Sequence, residues 1–185
     1  ADAIKIGGGM GNIARSPLES PYPIEAETSG YPRFTEAARY WLQWAGIPDS
    51  IYSVTKGLND YNDDYQSRGY WVNFLAGGSS VLPGKPGLNV PVDMALAFHT
   101  DAGTFKNDSI VGTLAICTVT NSDGKTVFEN GYSRWTSRDL TDIVQTQIVH
   151  DIRKPFAPDW TRRGLCNTSY SESSVPELPS LLREL

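Results

Sequence analysis

The feature that most constrains the fold is alternation. Short apolar segments of strand length are separated by longer segments whose apolar residues recur at helical spacing. Residues 3–6, 51–54, 92–98, 110–119 and 180–184 read as strands. The segment 92–98 reads as a buried strand because its apolar run is continuous, and 110–119 carries the β-branched content of a sheet interior. A first helix is entered at Ser29, tolerates Pro32 in its first turn and closes at Gly46, with Phe34, Ala37, Ala38, Trp41, Leu42 and Ala45 at helical spacing. A second helix covers about 65–75, weakened by Gly69. The third and clearest, residues 137–153, places Leu140, Ile143, Val144, Ile148 and Ile152 on one stripe. Residues 16–23, the polar run 59–64 and the Gly- and Pro-rich stretch 77–91 read as loops, and 121–124 as a hairpin-like turn. Strands alternating with helices predict an α/β fold: three layers, a mostly parallel twisted sheet and helices on both faces. At 185 residues the chain is expected to form one domain over 1–185.

Charge and hydropathy then exclude partners. The formal net charge is −5 and the 16 basic residues are scattered, so the clustered cations that nucleic-acid binding requires are missing. The run Met94 to Phe98 is among the longest apolar stretches and is far too short for membrane insertion. No basic stretch followed by an apolar run opens the chain, so a signal peptide is expected to have been removed or never present. Cys117 and Cys166 are too few for a disulfide framework; two free thiols are expected, with a single bridge as the alternative.

In parallel α/β sheets, ligands bind at the carboxyl ends of the strands. Three features fall there: the glycine loop Gly7-Gly8-Gly9-Met10-Gly11-Asn12, His99 closing its strand, and Glu184 closing the last one. A lone His is more often a hydrogen-bonded structural residue than a ligand. Glu184 sits in the apolar frame of Leu181, Leu182 and Leu185, where a carboxylate is paired, liganded or catalytic. On these facts alone an ion pair with Arg183 or another arginine is the favoured explanation. Glu19, Glu25 and Glu27 precede the first helix, where N-terminal carboxylates are ordinary. His150 lies on the flank of the third helix and receives no role, and the acidic run from Asp60 to Asp64 lacks the spacing of an EF-hand loop.

Taken in order, these pieces resemble the zinc-dependent N-acetylmuramoyl-L-alanine amidases. The family's strand ending in His-x-Asn/Asp-Ala is similar to Phe98-His99-Thr100-Asp101-Ala102. Its closing stretch, a Pro, an apolar run and a catalytic Glu, resembles Val175-Pro176 and the segment Pro179 to Leu185. Arg163-Gly164, the helix before it, and Asp64 with Arg68 have counterparts in the same order, so the resemblance spans nearly the whole chain. Similar domains occur in secreted proteins labelled xanthan lyases. The resemblance implies an α/β amidase-like hydrolase of the cell envelope or the extracellular space, acting on the muramoyl–L-alanine amide of peptidoglycan or a related glycopeptide. It implies Zn2+ held by Glu27 and His99, with Glu25 and Glu19 as alternatives to Glu27, and Glu184 as the catalytic carboxylate. The family's first histidine ligand corresponds to Met10, a soft thioether poorly matched to zinc. Two readings therefore stay open, an amidase with an altered zinc shell and a catalytically silent glycan-binding relative; a polysaccharide lyase is a weaker third.

Overall fold

The computed structural model describes residues 35, 37–99 and 110–184. The strand expected at 3–6, the glycine loop with Met10, the start of the first helix at Ser29 and Pro32, Glu19, Glu25, Glu27 and Asp101 lie outside these residues. The chain divides into two compact units at Phe74–Leu75.

In the first unit, helix α1 (Ala38–Trp44) ends as expected at Gly46, whose φ of +78° is the left-handed conformation a glycine adopts without a Cβ clash. Its buried side chains are Arg39, Tyr40 and Leu42, whereas Trp41, expected on the apolar stripe, is exposed. The expected strand at 51–54 is instead a helical turn, α2 (Asp49–Tyr52). Pro48 precedes it with φ −54° and Asp49 occupies its first turn, both favourable at a helix N-terminus. The acidic run read as a loop opens helix α3 (Asp60–Ala76), which carries Gly69 in its interior.

An ion-pair network explains those acids. Arg39 Nη1 lies 2.6 Å from Asp60 and 3.4 Å from the fully buried Asp63. Asp63 also accepts from the backbone N–H groups of Thr55 and Gly57 at 2.7 and 3.0 Å. This carboxylate thereby clamps a turn in which Lys56 and Gly57 both have positive φ. Asp64 accepts from the Arg39 backbone N–H and from Arg68 one helical turn away, both at 3.1 Å.

The second unit carries a four-stranded sheet in the order β1 (Ala95–His99), β4 (Ser180–Glu184), β2 (Thr113–Cys117), β3 (Arg162–Asn167). The fold is α/β, and the sheet is mixed: β1–β4 and β2–β3 are parallel, and β4–β2 is antiparallel. Among the described strands, β1 and β4 therefore point their carboxyl ends at one edge, where β2 begins. The strand β4 has the bounds expected from sequence, and β2 is buried as expected, but among the described strands β1 lies at a sheet edge, with Leu96 and Phe98 exposed. The expectation of a buried strand fails because continuous apolarity does not reveal whether a second face is covered.

Helix α4 (Trp135–Arg153) is where expected, but it buries a different stripe: Ser137, Thr141, Gln145 and Val149. Ile143 is 68% exposed. The i, i+4, i+8, i+12 spacing is helical, yet three of those four side chains are polar, and they are used for hydrogen bonds. Gln145 Nε2 donates to the carbonyls of Thr113 and Arg163 at 2.9 and 3.0 Å, tying β2 to β3. The Ser137 hydroxyl accepts from the Ser180 backbone at 3.2 Å and so anchors β4. Short helix α5 (Ser171–Ser174) precedes β4. The Thr118 hydroxyl lies 2.9 Å from Ser173 Oγ, and Ser180 Oγ donates to the Ser173 carbonyl at 3.0 Å.

Neither β3 nor α5 was expected, since Gly164 and the Arg pair break any apolar alternation. Residues 77–91 form turns as read, and Asn121 to Lys125 close a tight turn at Gly124, φ +80°. Both cysteines are free thiols. In register, Cys166 pairs with Ile116 and Cys117 with Asn167, so the two thiols point to opposite faces and cannot bridge.

Candidate functional site

The carboxyl edge of β1 and β4 gathers the chemistry. His99 and Glu184 are register partners on neighbouring parallel strands. Paired positions on adjacent strands project to the same face, so the imidazole and the carboxylate share it. That face also carries Leu182 and Ser180, by the two-residue period of β4, and Ser180 is bonded to α5. The sequence placed both residues at strand ends; the pairing of a strand ending at 99 with one ending at 184 is what makes them neighbours.

Glu172 joins them. Its Oε1 lies 3.5 Å from His99 Nε2, and its side chain is 6% exposed against 29% for His99. Sequence reasoning missed Glu172 because it sits in a four-residue helix with no apolar period. The one available signal was a carboxylate amid small hydroxyl residues, Ser171, Ser173 and Ser174, which are turn and capping types.

Arg183 is not the ion-pair partner of Glu184. Consecutive strand residues face opposite ways, and Arg183 lies on the other face, where its Nη2 donates to Thr113 Oγ1 at 2.9 Å. Trp160 Nε1 donates to the same hydroxyl at 2.8 Å. Arg183 is fully buried, its Nε and Nη1 have no hydrogen-bond partner among the described residues, and burial pulls its pKa down to about 10. Thr113 is held by the turn before it. The Thr113 N–H donates to the Thr161 carbonyl at 2.9 Å, and Gly112 (φ +85°) packs so close that a Cβ there would lie 2.2 Å from that oxygen.

His150 is exposed near the end of α4, 3.1 Å from Asp151. Of the ligands implied by resemblance, His99 is at the edge, and Glu27 lies outside the described residues. Among the described residues, no three His, Cys, Asp or Glu side chains form a group able to hold a metal ion by themselves. The donor types at the edge, an imidazole with carboxylates beside it, are nonetheless those a divalent cation takes. No helix among the described residues is long and apolar enough to cross a membrane. Compared with protein-family models, curated proteins and solved structures, the chain gives no match.

Proposed function

We propose that this chain is a metal-dependent hydrolase of the N-acetylmuramoyl-L-alanine amidase type, in the three-layer arrangement typical of such domains. Its substrate is the muramoyl–L-alanine amide of peptidoglycan or a related glycopeptide, met in the cell envelope or outside the cell. The supporting observation is the pairing of His99 with Glu184 at one strand edge and on one face. His99 and Glu27 are the proposed protein ligands of Zn2+, and Glu184 the catalytic carboxylate. Bound zinc supplies a water of lowered pKa and a polarised amide carbonyl. Glu184 accepts the proton of the attacking water and returns it to the leaving amine. His99 is fixed by its place at the end of a strand paired to β4, so ligand and base keep a constant separation while substrate binds.

Met10, at the position where the resemblance expects histidine, favours a second reading, a silent domain that binds cell-wall glycan. Elemental analysis of the purified chain, together with muropeptide release from peptidoglycan, separates the two. Stoichiometric zinc and release of stem peptides support the hydrolase. Glycan binding with neither metal nor release supports the silent domain.

A further inference from the structure

Among the described strands, β1 and β3 are the outer ones of the sheet, and they differ in chemistry. β3 opens with Arg162 and Arg163 and shifts register against β2. Charge and irregular pairing are both devices by which an outer strand resists pairing with another chain. β1 carries neither. The segment Met94 to Phe98 holds no charge and no proline. Met94, Leu96 and Phe98 are 49%, 41% and 58% exposed, and by the two-residue period of a strand they share one face. They form an apolar row open to solvent.

The backbone of β1 is aimed to match. The Ala95 N–H donates to the Pro179 carbonyl at 3.0 Å, on the β4 side. Alternate residues of a strand direct their N–H and C=O groups to opposite sides, so Leu96 and Phe98 direct theirs away from β4. The residues with exposed apolar side chains are thus also those whose peptide groups face outward. Addition of a strand uses both, main-chain groups for affinity and alternate side chains for register.

We infer that β1 pairs antiparallel with β1 of a second copy of this chain, about a twofold axis at Leu96. A twofold contact is self-complementary, so each copy receives what it offers. Centred on Leu96, the ladder sets Leu96 opposite Leu96, Met94 opposite Phe98 and Ala95 opposite Ala97. It also sets the acidic Asp93, exposed just before β1, opposite the basic imidazole of His99 at both ends. Centred one residue later, on Ala97, the ladder would set His99 opposite Ala95 and lose that charge match. The apolar row and the charge match therefore select the same register. This pairing goes beyond the proposed hydrolase function and does not rest on it.

The test is the mass of the full chain in solution by sedimentation equilibrium, with circular dichroism to check folding. The wild-type chain is expected to form a concentration-dependent dimer. Leu96→Lys and Leu96→Glu each set like charges face to face at the axis, and each should weaken dimerisation by more than about 10-fold. Because Leu96 meets its own copy in this register, an equimolar mixture of the two variants sets Lys against Glu and should recover a mixed dimer. Should either variant not fold, Met94→Lys, just outside β1, carries the test, with the same weakening expected. A wild-type chain still monomeric at about 1 mM overturns the inference, whatever else covers the row. So does a dimer that the folded variants leave unchanged, or a mixture of folded, monomeric Lys and Glu variants that does not associate.

Discussion

Two neighbours in sequence, Arg183 and Glu184, have opposite situations because a strand turns alternate side chains to opposite faces. Glu184 shares a face with His99, and its role is testable without disturbing the fold. Glu184→Gln keeps size and hydrogen-bonding capacity but cannot carry the proton. Muropeptide release should fall by about 10²–10⁴-fold with the melting temperature nearly unchanged. Unchanged release with a lowered melting temperature would mark Glu184 as a structural residue. Arg183 is a buried charge with one hydrogen bond and no carboxylate beside it among the described residues. Its replacement by an apolar side chain of similar length removes a desolvation cost, so Arg183→Met should raise stability by about 1–3 kcal/mol. Urea midpoints at constant m value measure this; a loss of stability would show that the guanidinium has a counter-charge. His99 and Glu184 were both legible as candidates from their strand ends. Glu172 was not, because what marks it is distance in space.

At the level of elements, α4 shows what periodicity does and does not say. The sequence located the helix, yet assigned its buried face to the apolar stripe through Ile143, whereas the face turned to the sheet is the one through Gln145. The reason is what lies opposite: carbonyls of Thr113 and Arg163 that need donors, which a leucine cannot supply. Gln145→Leu should therefore cost about 2–4 kcal/mol, since two buried carbonyls lose their partner. Ile143→Ala should change stability by less than about 0.5 kcal/mol. Chemical denaturation of the two variants decides between the stripes, and the reverse order would restore the apolar one. The same limit explains α2, where Ile51, Tyr52 and Val54 gave a strand-like composition. Four residues carry too little period to outweigh a proline followed by an aspartate, which start a helical turn.

For the molecule as a whole, a metal that binds only the folded chain must add to its stability. Zinc at about 100 times its dissociation constant should stabilise by about 2.7 kcal/mol, and a chelator should reverse the shift. Scanning calorimetry with and without zinc checks this; a melting temperature indifferent to zinc counts against a cation site. By itself the sequence determined the α/β class, the bounds of β4, the place of α4, the left-handed stop at Gly46 and the two strand-end residues. All of these depend on local periods and on backbone preferences of single residues, which act within a few positions of the chain. Only the tertiary structure decided that the sheet is mixed, that β1 is an edge among the described strands and that α4 buries its polar stripe. It alone placed Glu172 at His99 and turned Arg183 away from Glu184. Those outcomes depend on which strands pair and in which direction, a choice made by groups far apart in sequence that must bury or satisfy one another at once.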